Sequence, residues 1–416
     1  MNTGAEGFLE RYEGLAGRLP GDSAMRAAAA DAFRLAGLPG GTQKRRIEAW
    51  KYTSLRPVAE AVFRRDSYPR HEAETILAGL SLLDSPRAVF VDGVFRADVS
   101  GGLAGGFARF ADQPDFGTLS WPDREPMVAL NTMLAADGAA FHVHAGHDGG
   151  VVQLVSIMAG ESDAHPRHSV RLDAGASLTL VEISAGQGAY LLNTVAELHL
   201  APGARLTHIR LQDEAATAFH VSTTYADIGA GAIYDSFTLT LGGRLSRTEV
   251  HAHLTGAGAT AHLNAAQLLG GSQHADFTSV VGHTAPGCSS RQTVKTVLAG
   301  RSRGVFQGKI AVARDAQKTD GYQMNQALLL SPDAEIDSKP ELEIFADDVK
   351  CSHGATVGAL DAEQLFYLRS RGIPDAEARA ILVRAFLAEA LDAVANETIR
   401  GRLETAVAHW WMRQAA

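Results

Sequence analysis

The segment Glu335–Gly358, EIDSKPELEIFADDVKCSHGATVG, sets one of the chain's two cysteines two residues from a histidine, in Cys351-Ser-His353. Asp347 and Asp348 stand just upstream. On an extended strand residues i and i+2 share a face. A thiolate beside an imidazole is a ligand pair for zinc, copper or an iron–sulfur cluster. The competing reading is a small buried cysteine next to a satisfied histidine, because two ligands do not complete a site. A cluster usually takes about four thiolate or imidazole ligands, and the other cysteine, Cys288, lies 63 positions away. A cluster bound here would need further ligands from a second polypeptide.

Histidine supplies the other candidates. Of 16 in the chain, thirteen fall between His142 and His283. His142-Val-His144 and His251-Ala-His253 are pairs that share a face on a strand. A cupin-like metalloenzyme built on His142, His144 and His251 is one possibility. Against it, no Glu follows His144 by four or five residues, and Leu-Thr-Gly follows His253. Polar side chains on a wet sheet face explain the pairs as well. The chain contains no GxxxxGK[ST], GxSxG or HExxH sequence, and Ser289-Ser290 has no recognisable base partner. Catalysis within this chain has little direct support.

The elements that must position these residues fall into three regions. Residues 1–139 begin with helical spacing at Phe8, Tyr12 and Leu15, and continue through Ala27–Leu35. Leu38-Pro-Gly-Gly41 breaks the pattern, and Arg46–Leu55 resumes a short helix or turn. Arg87–Phe95 predicts a hairpin turning at Asp92-Gly93, and Asp123–Ala136 a further helix. Across 140–358 short alternating runs follow glycine turns of one form. The turn glycines Gly175, Gly203, Gly231 and Gly258 are 28, 28 and 27 residues apart. A fixed period in this range marks stacked repeats. It predicts a β-solenoid coil of two or three strands, with a β-sandwich as the competing fold.

Residues 359–416 are helical again. Asp361 predicts an N-cap with Gln364 at the third helical position, and Gly372-Ile-Pro374 a stop. A second helix over Asp375–Val394 carries Ile381, Leu382, Phe386, Leu387 and Leu391, and a third covers about Glu397–Arg413. These helices could cap one end of the solenoid or offer a face to a partner.

Composition narrows the function classes. Hydrophobic residues at 46% and charged residues at 20% suit a folded protein, and a net charge of −9 disfavours nucleic acid as a partner. Lys44-Arg45-Arg46 fits a solvated helix turn better than a phosphate-binding face. No apolar run approaches the ~18 residues of a membrane span. The N-terminus lacks the pattern of a signal peptide, and two distant cysteines suggest a reducing cytoplasm.

Several long motifs bear on function together. They are Asp320-Gly-Tyr-Gln-Met-Asn-Gln-Ala-Leu-Leu-Leu330, the following Ser331–Ile344, Asp348-Val-Lys-Cys-Ser-His-Gly-Ala-Thr-Val-Gly358, and Gln364-Leu-Phe-Tyr-Leu-Arg-Ser-Arg-Gly372. With these the chain resembles the SufB/SufD scaffold family of the SUF iron–sulfur assembly system. Glu48-Ala-Trp-Lys-Tyr-Thr-Ser-Leu55 and the scarcity of cysteine resemble its SufD branch.

The resemblance implies a mainly β protein, a right-handed parallel β-helix flanked by N-terminal and C-terminal helical domains. It implies a non-catalytic scaffold in a cytoplasmic complex with SufB and two copies of the ATPase SufC. In that complex iron or a nascent iron–sulfur cluster is held transiently and shared with SufB. His353 would face the SufB cysteine, with Cys351 the weaker ligand. The surface around Asp361, Leu365, Phe366, Arg369 and Pro374 would meet SufC. A homodimer of the isolated chain is also conceivable. The rival classes are the cupin-like enzyme and a purely structural solenoid.

Overall fold

A computed structural model of the chain describes residues 4–41, 47–63, 70–103 and 105–415. The Lys44-Arg45-Arg46 run lies outside these residues. In the N-terminal part come helices α1 (Ala5–Leu15), α2 (Ser23–Ala36), α3 (Arg56–Glu60) and α4 (Arg70–Gly79). Asp22 caps α2, its Oδ1 accepting from the backbone N–H groups of Ala24 and Met25. Strands β1 (Arg87–Val91) and β2 (Val94–Phe95) form the expected hairpin, with Asp92 and Gly93 both at positive φ (48° and 78°). Strand β3 (Phe107–Arg109) and helix α5 (Pro126–Leu134) complete this part.

Residues 139–358 form the solenoid. Its first strands are β4 (Ala139–Val143), β5 (Asp148–Met158), β6 (Asp163–Ala164), β7 (Arg167–Leu172), β8 (Ser177–Gly186) and β9 (Leu191–Leu200). Then follow β10 (Arg205–Glu214), β11 (Phe219–Ile228), β12 (Ile233–Thr240), β13 (Leu245–Leu254), β14 (Thr260–Leu269) and β15 (His274–His283). The last are β16 (Ser289–Leu298), β17 (Arg303–Val312), β18 (Asp320–Leu329), β19 (Glu335–Ile344) and β20 (Lys350–Gly358). From β8 onward each coil contributes one strand to each of two sheets, and the pairing between coils is parallel. Sheet A runs β2-β1-β5-β8-β10-β12-β14-β16-β18-β20, and sheet B runs β19-β17-β15-β13-β11-β9-β7-β4-β3. Parallel pairing excludes the sandwich.

The glycine repeat is the corner of each coil. Gly175, Gly203, Gly231 and Gly258 have φ between 62° and 71°, a region costly for any residue with a Cβ. Each donates its backbone N–H to the next corner, Gly203 to Ala230 O and Gly231 to Ala257 O. The same ladder extends to Gly287 and ends at Lys318, whose N–H bonds Asp348 O.

In-register stacking fills the space between the sheets with Leu178, Leu206, Tyr234, Leu198, Ala226 and Ala252. The outer faces are apolar as well. Sheet B presents Leu191, Phe219, Val221 and Leu245 to the N-terminal layer, where Phe8, Phe33, Trp50 and Met133 cover them. Sheet A presents Ile209, Phe237, Leu239 and Val297 to Val383, Leu387, Leu403 and Trp410 of the C-terminal helices. These helices are α6 (Ala362–Ser370), α7 (Asp375–Leu391) and α8 (Glu397–Ala415).

They do not cap an end of the solenoid; α7 and α8 lie along the outer face of sheet A, because that face is too apolar to meet water. The buried stripe of α7 is Ala378, Val383, Leu387, Ala390 and Leu391. Ile381, Leu382 and Phe386 are only partly covered. Among the described residues no helix is long and apolar enough to cross a membrane.

Candidate functional site

Strands β19 and β20 form the last coil, and each has a neighbour on one side only. Register pairs Gly321 with Cys351 and Gln323 with His353. A Cβ added at Gly321 would lie 3.4 Å from both Cys351 Sγ and Ile310 Cγ2, so the cysteine points inward, toward the opposite sheet. Alternation puts His353 on the same inner face. No further coil covers that face, and His353 is exposed while Cys351 is half-buried. Burial raises the Cys351 thiol above its ordinary range, and the nearby Asp320 carboxylate adds to the effect. A protonated thiol is a poor ligand, so the imidazole is the more available donor.

Beneath His353 the inner face is polar. Gln323 and Asn325 are fully buried, with Gln323 Nε2 donating to Glu341 O at 3.3 Å and Asn325 Nδ2 to Ser338 Oγ at 3.0 Å. Their carbonyl oxygens, Gln323 Oε1 and Asn325 Oδ1, have no hydrogen-bond partner. Beside the same end Phe345 and Val357 are 63% and 53% exposed. Unpaired strand edges, buried unsatisfied oxygens and exposed apolar side chains are features that a second surface would relieve. Sequence reasoning missed Gln323 and Asn325, which the register places directly under His353 and Ala355, one coil earlier.

The second predicted surface is α6. Asp361 caps it, Oδ1 accepting from Glu363 N at 2.8 Å and Gln364 N at 3.0 Å. The helix buries no side chain; Phe366 is 74% exposed and Tyr367 58%. Leu365 is half-buried, and Arg369 pairs with Asp375 at 3.4 Å. Pro374 starts α7 as its N-cap residue. Asp361, Leu365, Phe366, Arg369 and Pro374 thus lie within α6, its cap and the turn that leads into α7.

The cupin-like triad is not assembled. His142 is on β4 and His251 on β13, four strand spacings apart in sheet B, roughly 19 Å. The histidines instead belong to two separate groups. His142 Nε2 is 3.0 Å from Asp173 Oδ2 and His144 Nδ1 is 3.7 Å from the same oxygen. Asp173 comes from the next coil, which is why spacing around His144 did not show it.

His251 joins Glu125 and Glu249 on the covered face of sheet B. Its Nε2 is 2.9 Å from Glu249 Oε1, and the Tyr225 ring stacks on it at 4.7 Å. Arg247, fully buried, donates to Glu249 Oε2 from Nε and Nη2 and to Asp276 Oδ2 from Nη1. Trp50 lies 4.2 Å over this guanidinium, and Thr53 Oγ1 donates to Asp276. Burial would raise Glu249, but Arg247 and His251 overcome it and hold the carboxyl at about 2. Glu125, pushed up by burial and by Glu249, titrates at about 7. Arg247 already pairs with two of these carboxylates, Glu249 and Asp276, so the group pins the Trp50–Thr53 segment to the solenoid.

Fold and site define a helix-flanked parallel β-solenoid carrying ligand-type side chains on an open terminal coil, with no catalytic constellation among the sequence motifs. Residues 155–386 match the family described as SUF system FeS cluster assembly, SufBD core domain. The chain belongs to that family. It is 33% identical over 369 residues to the iron–sulfur cluster assembly protein SufD of Escherichia coli K12, a match covering 86% of this chain and 87% of that one. It is 32% identical over 325 residues to Protein ABCI7, chloroplastic, of Arabidopsis thaliana, covering 74% and 67% respectively. A SufBD family iron–sulfur cluster assembly protein of Synechocystis is 36% identical over 252 residues, 58% of this chain and 56% of its own. These relationships give the chain a role in iron–sulfur cluster assembly.

Proposed function

We propose that this chain is a non-catalytic scaffold subunit whose terminal coil supplies half of a cluster-assembly site, the other half coming from SufB. The observation that carries the reading is the uncovered inner face of β20, where His353 stands exposed above Gln323 and Ala355 above Asn325, two buried amides with unpartnered oxygens. Iron, or a nascent cluster, is the cargo. A neutral imidazole offers one nitrogen lone pair to it, and Cys351 a second, weaker donor. The isolated chain has too few thiols to hold a cluster alone, which favours a shared and transient site in a cytoplasmic complex.

The α6 surface is assigned to the ATPase SufC. Phe366 and Tyr367 are large side chains held in water by a capped helix, the kind of aromatic anchor that protein interfaces bury. The absence of a P-loop from this sequence fits an ATPase on a separate chain.

Reconstitution with SufB and SufC tests both assignments. His353→Ala should leave assembly of the complex intact and lower cluster yield; an unchanged yield refutes the terminal-coil site and favours a purely structural solenoid. Phe366→Ala should weaken SufC capture at least ~10-fold, about 1.4 kcal/mol, without changing the melting temperature. Undiminished capture refutes the α6 assignment.

A further inference from the structure

We propose that His142, His144 and Asp173 form a second, independent site on this chain, for a divalent transition metal of borderline softness such as Fe(II), Co(II) or Zn(II). It lies at the opposite end of the solenoid from His353. In sheet B, β4 and the terminal β19 are seven strand spacings apart, roughly 34 Å. The site therefore does not depend on the terminal-coil reading.

Three observations converge on it. The donor atoms of the three residues lie within 4.8 Å of one another, with Asp173 Oδ2 at 3.0 Å from His142 Nε2 and 3.7 Å from His144 Nδ1. Metal–ligand bonds of about 2.0–2.2 Å give ligand–ligand edges of roughly 3–3.5 Å, so an ion fits among these atoms with small rotamer changes. The backbone that carries them is fixed. His142 is paired to Arg171 in the parallel β4–β7 ladder, and Asp173 N donates to Val143 O at 3.0 Å, directly between the two histidines. Such a platform holds donors in place before the ion arrives.

The third observation is charge and access. Among the described residues no lysine or arginine is ion-paired with Asp173, unlike the carboxylates around Arg247. The side chains of His142, His144 and Asp173 are 41%, 72% and 36% exposed, leaving coordination positions open. His142 and His144 line a cleft of about 790 Å³ that also contains His199 and Arg171. Two imidazoles and one carboxylate with open positions is a donor set for exchangeable rather than structural metal. The Arg171 guanidinium in the same cleft suits an anionic ligand completing the sphere.

Cobalt(II) titration of the full chain, followed by its visible d–d absorption in a phosphine reductant, tests the site. One ion should bind with a nitrogen/oxygen-type spectrum lacking thiolate charge transfer. His142→Ala and Asp173→Asn should each weaken binding at least ~10-fold, while a His353→Ala/Cys351→Ala double variant keeps it. His144→Ala, at the most exposed of the three positions, serves should either variant fold poorly, and circular dichroism checks each. The proposal is overturned if the wild-type chain takes up no cobalt, or if binding persists undiminished in the folded variants. Retention in those variants together with loss in the double variant would put the metal at the terminal coil instead.

Discussion

Replacing Arg247 with methionine should lower the stability of the chain by about 4 kcal/mol. The guanidinium is fully buried and serves two carboxylates, Glu249 and Asp276, which are themselves buried. Removing one partner of a buried ion pair typically costs ~3–5 kcal/mol, because the other charge is left without compensation. The lost contact with the Trp50 ring at 4.2 Å adds to this. Urea titration followed by tryptophan fluorescence reads the effect. With a denaturant dependence of about 3 kcal/mol per molar, the midpoint should fall by roughly 1.3 M. Because Glu249 sits at about 2 against an ordinary 4.5, its stabilising contribution is present above pH 4.5 and lost as pH falls toward 2. The defect of the variant should accordingly be full at pH 7 and shrink below pH 4.5. A triple variant, Arg247→Met with Glu249→Gln and Asp276→Asn, should recover most of the loss. A midpoint shift below ~0.3 M, or no recovery in the triple variant, refutes the reasoning.

Two other perturbations follow from the same sheet and its corners. Glu125 is raised to about 7 from an ordinary 4.5, so the bound proton's contribution is complete below 4.5 and lost as pH rises through 7. Glu125→Gln should therefore stabilise the chain by roughly 3 kcal/mol at pH 8 and by little at pH 4.5, and an equal gain at both pH values would exclude this origin. Gly231 has φ +62° but open space around an added Cβ, whereas a Cβ at Gly256 would run into the backbone N of Ala230. Gly231→Ala should cost about 1–2 kcal/mol from backbone strain and Gly256→Ala clearly more, an order that thermal melts can reverse or uphold.

The sequence made the repeat legible because a corner that needs positive φ selects glycine, and the corners recur once per coil. Helix starts were legible for a similar local reason, Asp361 supplying its own cap. The placement of the C-terminal helices was not. The strands of sheet A alternate between two apolar faces, one for each layer, so periodicity alone could not tell an inner Leu206 from an outer Ile209. The site residues divide in the same way. Cys351 and His353 were visible as neighbours along one strand. Asp173, Gln323 and Asn325 meet their partners across coils, and contacts one coil apart are invisible until the register is known. Arg247 and Glu249 were hidden for a further reason, since nothing in sequence shows that a helical layer buries them.

The two ends of the solenoid differ in a way that limits assembly. At one end the sheets finish in β2 and β3, of 2 and 3 residues and both antiparallel to their neighbours. At the other they finish in β19 and β20, of 10 and 9 residues, with Pro340 within β19 where an interior strand would need its N–H. A protein with two long edges of opposite kind could add copies head to tail without limit. Among the described residues only the β19–β20 end offers long strand edges, so any end-to-end pairing through it would close at two solenoids and not grow into a filament.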